Sequence, residues 1–241
     1  MMTANIQITL METSHPGNIG AVARAMKTMG LSRLCLVRPK YFPSAEATAR
    51  ASGADDILSD ARLVDSLDEA LADCHLVVGA SNRPRTIGVP VLDVSASAQR
   101  LLAASRRGGV TVLFGREHSG LSNSELDRCH FQLTIPSVED FSSLNIAAAV
   151  QIMAYELRVA RLIGQPEVVV PESAVTMAEM EQFYRHLETV LVAIGFLDPD
   201  NPRHLMRRLR RLYNRLSPDS NEMNILRGIL TAVQKTGGSA R

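Results

Sequence analysis

The sequence has no long apolar run and almost no net charge. Its apolar stretches, such as residues 110–114 and 146–150, are far shorter than the roughly 20 residues that span a bilayer. We see no basic region followed by an apolar stretch near the N-terminus, so we expect no secretion signal. Lys and Arg number 26 against 25 Asp and Glu, which excludes a strongly basic chromatin-type binder. We expect a cytoplasmic protein with no membrane partner.

Cysteine is also scarce. Cys35, Cys74 and Cys129 are widely separated, with no Cys-x-x-Cys pair and no Cys/His pair at metal-ligand spacing. Each lies in or beside an apolar stretch, which predicts small buried thiols rather than disulfides or a zinc site. We therefore expect no metal.

The first two thirds of the chain alternate short β-rich apolar runs with helical patterns. This alternation predicts an α/β domain with a mostly parallel sheet and helices on both faces. The candidate strands are residues 6–11, 33–37, 75–79, 110–114 and 131–135. The candidate helices are residues 19–29, 46–52, 66–72, 95–106, 122–129 and 143–162. Gly30 is expected to end the first helix, because glycine readily adopts the left-handed conformation there.

The remainder of the chain is predicted to form a separate, all-helical unit. Two prolines, a glycine and a β-branched run (GQPEVVVP) follow the long helix, so the chain divides into a domain at 1–163, a linker at 164–175 and a C-terminal unit at 176–241. Helices are predicted at residues 177–194, 203–216 and 222–234. A unit this small buries little core, so we expect it to pack on the α/β domain or on a partner.

Residues 203–215 hold six arginines and no acidic residue. One interpretation is a contact with the phosphates of a nucleic acid, with Tyr213 as a stacking surface. The other is a surface whose arginines pair with Glu179, Glu181 and Glu188 on the neighbouring helix. For the first interpretation, the candidate RNA-binding residues are Arg207, Arg208, Arg210 and Arg211.

Open α/β sheets bind ligands where their strands end, so the loops after the strands are the candidate site. After the first strand, the sequence HPGNIG leads into a helix that carries Arg24, and glycines there would let helix N–H groups approach an anion. A dinucleotide site is not favoured, because neither a GxGxxG pattern nor an acidic residue after the second strand is present. The second strand ends in Arg38-Pro39-Lys40, which suggests at most a phosphorylated cofactor.

Two later loops carry further polar candidates. Glu117 lies between Gly115 and Gly120, where it offers an acceptor to a hydroxyl, an amine or a cationic ligand, or else pairs with a nearby arginine in a tight turn. Either Ser142 or Ser143 is expected to cap the long helix. Asn145 has no obvious capping role and is therefore a functional candidate. The loop that begins at residue 80 is expected to line the same crevice.

Three ordered motifs resemble the SPOUT class of S-adenosylmethionine-dependent RNA methyltransferases, in the TrmH-like group of ribose 2′-O-methyltransferases. They are Asn18-x-Gly20-x-x-Ala23-Arg24, Leu113-Phe114-Gly115-x-Glu117-x-x-Gly120-Leu121, and Ile135-Pro136 followed by Ser143-Leu144-Asn145-x-Ala147. The resemblance covers residues 5–162, and the helical C-terminal unit favours the branch that acts on tRNA. It implies a trefoil knot and a homodimer with S-adenosylmethionine sites at the interface. We expect helices 19–29 and 143–162 to bury apolar faces across that interface.

The resemblance also implies roles for individual residues. Arg24 would be catalytic, with Asn18, Glu117, Ser143 and Asn145 orienting it or the substrate. A guanidinium has a pKa above about 12, so we favour Arg24 as a phosphate and alkoxide ligand, although a role as the base stays open. The implied cofactor contacts are Ala80, Ser81, Asn82, Gly115, Ile135, Ser142, Ser143 and Leu144.

The implied substrate is a cytidine or uridine at position 32, the first nucleotide on the 5′ side of the tRNA anticodon loop. Two alternatives remain open at this point. One is 2′-O-methylation of another RNA, and the other is a non-catalytic RNA-binding module on the same fold. Binding of S-adenosylmethionine in a calorimeter would favour an enzyme over the binding module.

Overall fold

A computed structural model describes residues 5–83, 88–138, 141, 143–163 and 175–237. Within these residues, strands that pair only in parallel form one sheet in the order β3-β2-β1-β6-β4-β7-β5. The strands are β1 (Ile6–Met11), β2 (Arg33–Val37), β3 (Arg62–Val64), β4 (Cys74–Ala80), β5 (Val91–Leu92), β6 (Gly109–Phe114) and β7 (Phe131–Leu133). The predicted parallel α/β architecture is confirmed.

Helices connect the strands and follow the sheet. They are α1 (Pro16–Met29), α2 (Ala45–Ala51), α3 (Asp55–Ser59), α4 (Leu67–Leu71), α5 (Val94–Ser105), α6 (Asn123–Leu126), α7 (Ile146–Ile163), α8 (Met177–Ala193), α9 (Leu205–Leu216) and α10 (Ser220–Gly237). Gly30 ends α1 with a φ of 81°, as predicted. None of the helices within the described ranges has the length and hydropathy needed to cross a bilayer.

The sheet buries an apolar core on each face. On one face, Ile6, Ile8 and Leu10 of β1 pack in a cluster that includes side chains of α1, α2, α5 and α7. On the other face, Val77 and Leu113 pack in a cluster with residues of α4 and α6. Helices therefore cover both faces, and the carboxyl ends of the central strands are left to form a site.

The differences from prediction lie at the sheet edges and the helix ends. The short edge strands β3 and β5 and the helix α3 were not predicted, because strands of two or three residues show no clear apolar run. The predicted strand at 131–135 ends at Leu133, and the long helix begins at Ile146 instead of Ser143.

The three cysteines are free and buried, as predicted. Burial raises the pKa of Cys35 to about 11 and that of Cys74 to about 12. Burial likewise raises the pKa of Cys129. These thiols are therefore protonated packing groups rather than nucleophiles.

The C-terminal helices form their own small core and contact the α/β domain. Phe183 and Tyr184 of α8 are buried in a cluster that also includes residues of α10. Met177, at the start of α8, packs into the α4 and α6 face of the α/β domain. The predicted linker lies outside the described residues apart from Val175, and the domain boundaries stay a prediction.

Candidate active site

The carboxyl ends of β1, β4, β6 and β7 surround a cavity of about 500 Å³. Because these strands are neighbours in the sheet, the loops that follow them meet at one edge of the sheet, as predicted. The predicted cofactor residues that line the cavity are Ala80, Ser81, Asn82, Gly115, Ile135, Ser143 and Leu144. Ser142 lies outside the described residues. Of the predicted catalytic residues, Asn18, Glu117, Ser143 and Asn145 also line the cavity.

Four donors in the loop after β1 and in the first turn of α1 hold the Glu117 side chain. Its carboxylate accepts hydrogen bonds from the Ser14 backbone N at 3.2 Å, Ser14 Oγ at 3.1 Å, His15 N at 3.3 Å and Asn18 Nδ2 at 3.1 Å. Partial burial raises the pKa of this carboxyl, but the hydrogen bonds from Asn18 and from backbone amides outweigh burial and leave the pKa below its usual value. Glu117 is therefore a charged acceptor that fixes the loop after β1.

Asn18 and Asn145 extend the Glu117 contacts into a single network. Asn145 Nδ2 donates to Asn18 Oδ1 at 3.1 Å, and Asn145 Oδ1 accepts from the Ala147 backbone N at 2.9 Å. Because the Glu117 carboxylate only accepts, both amide orientations are defined by the network. Asn145 therefore caps α7, so the prediction that it has no capping role is wrong. Capping fixes the orientation of the Asn145 amide at the wall of the cavity, so it is compatible with a role in the site.

Arg116 stabilises the loop that carries Glu117. Its Nε donates to Glu12 Oε2 at 2.7 Å, and its Nη atoms donate to the Glu125 carboxylate at 3.0 and 3.1 Å. The hydrogen bond from Arg116 lowers the pKa of Glu12 below its usual value. Backbone hydrogen bonds between Arg116 and Gly120 close the loop. The alternative in which Glu117 pairs with Arg116 or Arg128 is wrong, since Arg116 bonds Glu12 and Glu125, and Arg128 pairs with Asp68 and Glu181.

Sequence reasoning did not identify the role of Arg116. Its position directly before Glu117 was the sequence signal that could have indicated a structural role for Arg116. A positively charged side chain in a strand-end turn needs carboxylate partners, and those lie far apart in sequence at Glu12 and Glu125.

Asn82 joins two of the loops that line the cavity. Its Nδ2 donates to the Ile135 carbonyl at 3.1 Å and to Ser137 Oγ at 3.0 Å, and its Oδ1 accepts from the Ile135 N at 3.2 Å. Beyond the end of β7, the Asn82 side chain thus bonds both the N–H and the carbonyl of Ile135, as the backbone of a neighbouring strand would. This fixes the shape of the cavity on the β4 side.

Arg24 lies away from this cavity. It follows Asn18 by six residues, which places it about 120° around α1 at 3.6 residues per turn. Its side chain is exposed, and none of the described residues forms a hydrogen bond or an ion pair with its guanidinium. A single chain therefore brings Asn18, Glu117, Ser143 and Asn145 together but does not bring Arg24 to them.

Gly20 packs against a helix rather than a ligand. It lies inside α1, where an added Cβ would be 2.0 Å from the Ala47 carbonyl oxygen of α2. The expectation that this glycine exposes helix N–H groups to an anion is therefore wrong. Its lack of a side chain lets α1 and α2 approach closely.

The arginines of α9 divide into two sets. Arg207 Nε donates to Asp127 Oδ1 of the α/β domain at 2.8 Å, and Arg210 Nη2 donates to Glu181 Oε2 of α8 at 2.9 Å. Arg208 and Arg211 are exposed. Of the three acidic residues expected to pair, the contact with Glu181 is the one found within the described residues.

Tyr213, which was expected to offer a stacking surface, is partly buried. Its ring packs edge-on against Phe183 with centroids 4.8 Å apart, against the core of the C-terminal unit. Aromatic packing there stabilises the contact between α8 and α9.

Two family models match the chain. One, described as the SpoU rRNA methylase family, matches residues 5–155, and the other, described as the C-terminal domain of tRNA methyltransferase TrmJ, matches residues 178–241. The chain is 52% identical over 245 residues to the tRNA (cytidine/uridine/adenosine-2′-O-)-methyltransferase TrmJ of Pseudomonas aeruginosa, which covers 97% of this chain and 95% of that protein.

Solved structures of similar fold agree with these matches. The crystal structure of TrmJ from Z. mobilis ZM4 superposes with a TM-score of 0.83 at 34% identity, over 96% of this chain and 100% of that one. A structure described as giving insights into 2-OH methylation of C/U34 on tRNA has a TM-score of 0.52 at 30% identity. It covers 66% of this chain and 97% of that one.

Proposed function

The chain belongs to the SpoU methylase family, and we propose that it methylates the ribose 2′-hydroxyl of a tRNA nucleotide with S-adenosylmethionine as the methyl donor. The observation that carries this proposal is the Glu117–Asn18–Asn145 network, which joins three separate sequence motifs at the rim of one cavity. A binding module has no need of such a network. We also propose a cytoplasmic location, because tRNA is the proposed substrate.

The residues around the cavity fit S-adenosylmethionine. A volume of about 500 Å³ is in the range of small-molecule sites, and Ala80, Ser81 and Gly115 offer backbone groups in a narrow cleft. Bound there, the cofactor supplies an electrophilic methyl group on a sulfonium. The family fold further implies the trefoil knot, in which the last strand and helix thread through an earlier loop. The bonds from Asn82 to Ile135 and Ser137 show that the ends of β4 and β7 lie together, as such a fold requires.

The polar network then positions the nucleophile. Asn18 and Asn145 each use one amide N–H in the network, so each has a second N–H with which to bind ribose or phosphate oxygens. The charged Glu117 holds Asn18 in place. Ser143, exposed at the same rim, adds a hydroxyl. Fixed donors of this kind hold the 2′-oxygen in line with the methyl group, which is the main requirement of the reaction.

Arg24 reaches a cavity only if a second chain supplies it. We propose a homodimer in which Arg24 of one protomer binds phosphate and stabilises the developing alkoxide at the cavity of the other. Arg24 is exposed and does not line the cavity of its own chain, which supports this arrangement. The apolar face of α1 is not available for the interface, because Ile19, Val22 and Met26 are buried within the chain. This part of the predicted dimer contact is wrong.

Helix α7 offers the interface that α1 does not. Its outer side carries exposed apolar or aromatic residues at a spacing of seven, which is one position of a helix-packing heptad. They are Ala148, Tyr155 and Leu162, with the partly buried Ile152 and Val159 beside them. Tyr155 and Leu162 are exposed in the single chain, so pairing with a second copy would bury them.

Mixed dimers test whether Arg24 acts across the interface. Arg24→Ala and Asn145→Ala chains with different tags are produced together, and dimers that carry one chain of each kind are isolated. Each variant alone is expected to be inactive. A mixed dimer has one intact site if Arg24 acts on the partner's cavity, so it should show about half of the parent activity. An inactive mixed dimer would place Arg24 in its own chain's site, and a monomer in sedimentation would refute the dimer.

The C-terminal unit is proposed to anchor the tRNA. Recognition of one loop nucleotide in a folded RNA needs contacts with other parts of the RNA. Arg208 and Arg211 are exposed and positively charged, whereas the α/β domain is neutral overall. Arg207 and Arg210 instead attach α9 to Asp127 and Glu181. Among the four predicted RNA contacts, we therefore propose Arg208 and Arg211 as the direct ones.

Mapping of 2′-O-methyl groups on tRNA tests both the function and the position. The resemblance implies methylation at position 32. The similar structure that concerns position 34 covers 66% of this chain. Unmodified tRNA treated with the protein and S-adenosylmethionine should gain a methyl group at ribose 32. Methylation at 34 would correct the position, while failure to bind S-adenosylmethionine in a calorimeter would favour the non-catalytic module.

A further inference from the structure

The loop after β2 lies beside the Glu117 network on the side away from the cofactor cavity. Lys40 N donates to the Thr13 carbonyl at 3.1 Å, and the next residue, Ser14, donates to Glu117. In the sheet order, β2 is on one side of β1, and β6, β4 and β7 are on the other. The loop after β2 therefore lies next to the loop after β1, since neighbouring strands are about 4.8 Å apart.

This loop presents an aromatic ring and a cation to solvent. Tyr41 is 56% exposed, and Lys40 Nζ is 5.3 Å from the centroid of its ring. The neighbouring Phe42 packs against the core of the α/β domain and anchors the loop. Residues 38–43 contain two basic residues and no acidic one. The Arg38 charge is shared with Glu12, so Lys40 is the cation available at the ring.

The adjoining helix α2 carries both signs of charge close to this loop in sequence. Glu46 and Arg50 of α2 both lie near Gly17, at the start of α1, and carry opposite charges. An exposed ring beside an available cation is the combination that binds single-stranded nucleic acid, since the ring stacks on a base and the cation binds phosphate. Sequence reasoning linked Arg38-Pro39-Lys40 only to a phosphorylated cofactor.

The geometry points to a nucleotide-binding platform at Lys40 and Tyr41. A base of the substrate RNA next to the methylated nucleotide stacks on Tyr41, and its phosphate contacts Lys40. This inference rests on the proposed function for the identity of the RNA. It assigns the two sides of the Glu117 network to the two substrates, with the methyl donor toward β4 and β7 and the neighbouring nucleotide toward β2.

A tryptophan reporter tests the platform directly. The chain has no tryptophan, so Tyr41→Trp carries the single indole of the protein. Its fluorescence should be quenched on titration with tRNA or with an anticodon stem-loop, because stacking places a base on the indole. Val91→Trp is the matched control, since Val91 is exposed on β5 at the far edge of the sheet. Its fluorescence should not change.

Side-chain variants measure the contribution of the platform. Tyr41→Ala should weaken tRNA binding about tenfold, whereas Tyr41→Phe keeps the ring and should bind as the parent does. Lys40→Gln should lower the slope of log K against log salt by about one. Calorimetry should give the parent affinity for S-adenosylmethionine in each variant.

The outcomes separate the platform from the proposed function. Unquenched Tyr41→Trp together with parent-like binding by Tyr41→Ala would overturn the platform. Quenching by a free phosphorylated nucleotide but not by the stem-loop would overturn it as well, and would indicate a small-cofactor site. If RNA quenches the indole but no tRNA is methylated, the platform stands and the proposed function fails.

Discussion

The α/β domain and the C-terminal helical unit use charge in opposite ways. In the α/β domain, Glu117 is surrounded by donors and Arg116 lies between two carboxylates. On α9, pairing is confined to the side that faces α8 and the α/β domain, while Arg208 and Arg211 are exposed. A satisfied network fixes geometry, whereas solvated like charges attract an anion from a distance. The first region suits placement of reacting groups, and the second suits capture of a polyanion.

One helical glycine in each region shows a different environment. In the α/β domain, α1 and α2 approach at Gly20 so closely that no side chain fits. In the C-terminal unit, Gly228 lies on the exposed side of α10, and an added Cβ would meet no described atom within 4 Å. A substitution at Gly20 should therefore have a larger effect than one at Gly228.

The largest effect is expected for Arg24. Arg24→Ala should lower the single-turnover rate of methyl transfer by about 10²–10³-fold, as loss of a donor to a developing oxyanion does. Arg24→Lys should also fail, because an ammonium does not reproduce the planar fork. Lys27→Ala, at an exposed position on the same helix, is the control and should keep the parent rate. A parent rate for Arg24→Ala would end its catalytic assignment.

Gly20→Ala should destabilise the α/β domain by about 1–3 kcal/mol, because the new Cβ forces α1 and α2 apart. Urea unfolding monitored by circular dichroism measures this loss. Since Asn18 lies in the first turn of α1, the variant should also lose activity. Unchanged stability would mean that the approach of α1 to α2 is looser than 2.0 Å implies.

Two double variants of α9 divide its arginines by function. Arg208→Gln with Arg211→Gln should lower the salt slope of tRNA binding by about two and leave stability unchanged. Arg207→Gln with Arg210→Gln should instead reduce stability, since Asp127 loses Arg207 and Glu181 keeps Arg128 but loses Arg210.

Salt titrations of tRNA binding and urea unfolding of both variants make this comparison. A parent-like slope in the first variant would favour the interpretation of α9 as a surface without an RNA contact. Affinity for S-adenosylmethionine is the control and should stay the same in both variants.

The smallest effect is expected for Gly228→Ala, which should stabilise the protein by about 0.5–1 kcal/mol. The position is exposed within α10 and has free space, so alanine removes the conformational cost of glycine in a helix. Thermal unfolding against the parent measures the gain. A loss of stability would indicate that a contact not formed by the described residues covers this position.

Much of the α/β domain follows from sequence patterning alone. β1 and β2 begin and end where predicted, because short, mostly apolar runs bounded by polar residues are typical of buried parallel strands. Gly30 was correctly expected to end α1. β3 and β5 were not found, since a strand of two or three residues gains its stability from its neighbour and carries little pattern of its own.

Local chemistry and the family resemblance determined which residues belong to the site, and the tertiary structure decided what each one does. In sequence, Arg207, Arg208, Arg210 and Arg211 are equivalent. The packing of α9 against Asp127 and Glu181 separates them into a paired set and an exposed set. Asn145 is an isolated amide in sequence, and packing makes it both a helix cap and a partner of Asn18. A sequence encodes local periodicity and residue type. Partners that lie about a hundred residues apart are set only when the strands bring their ends together.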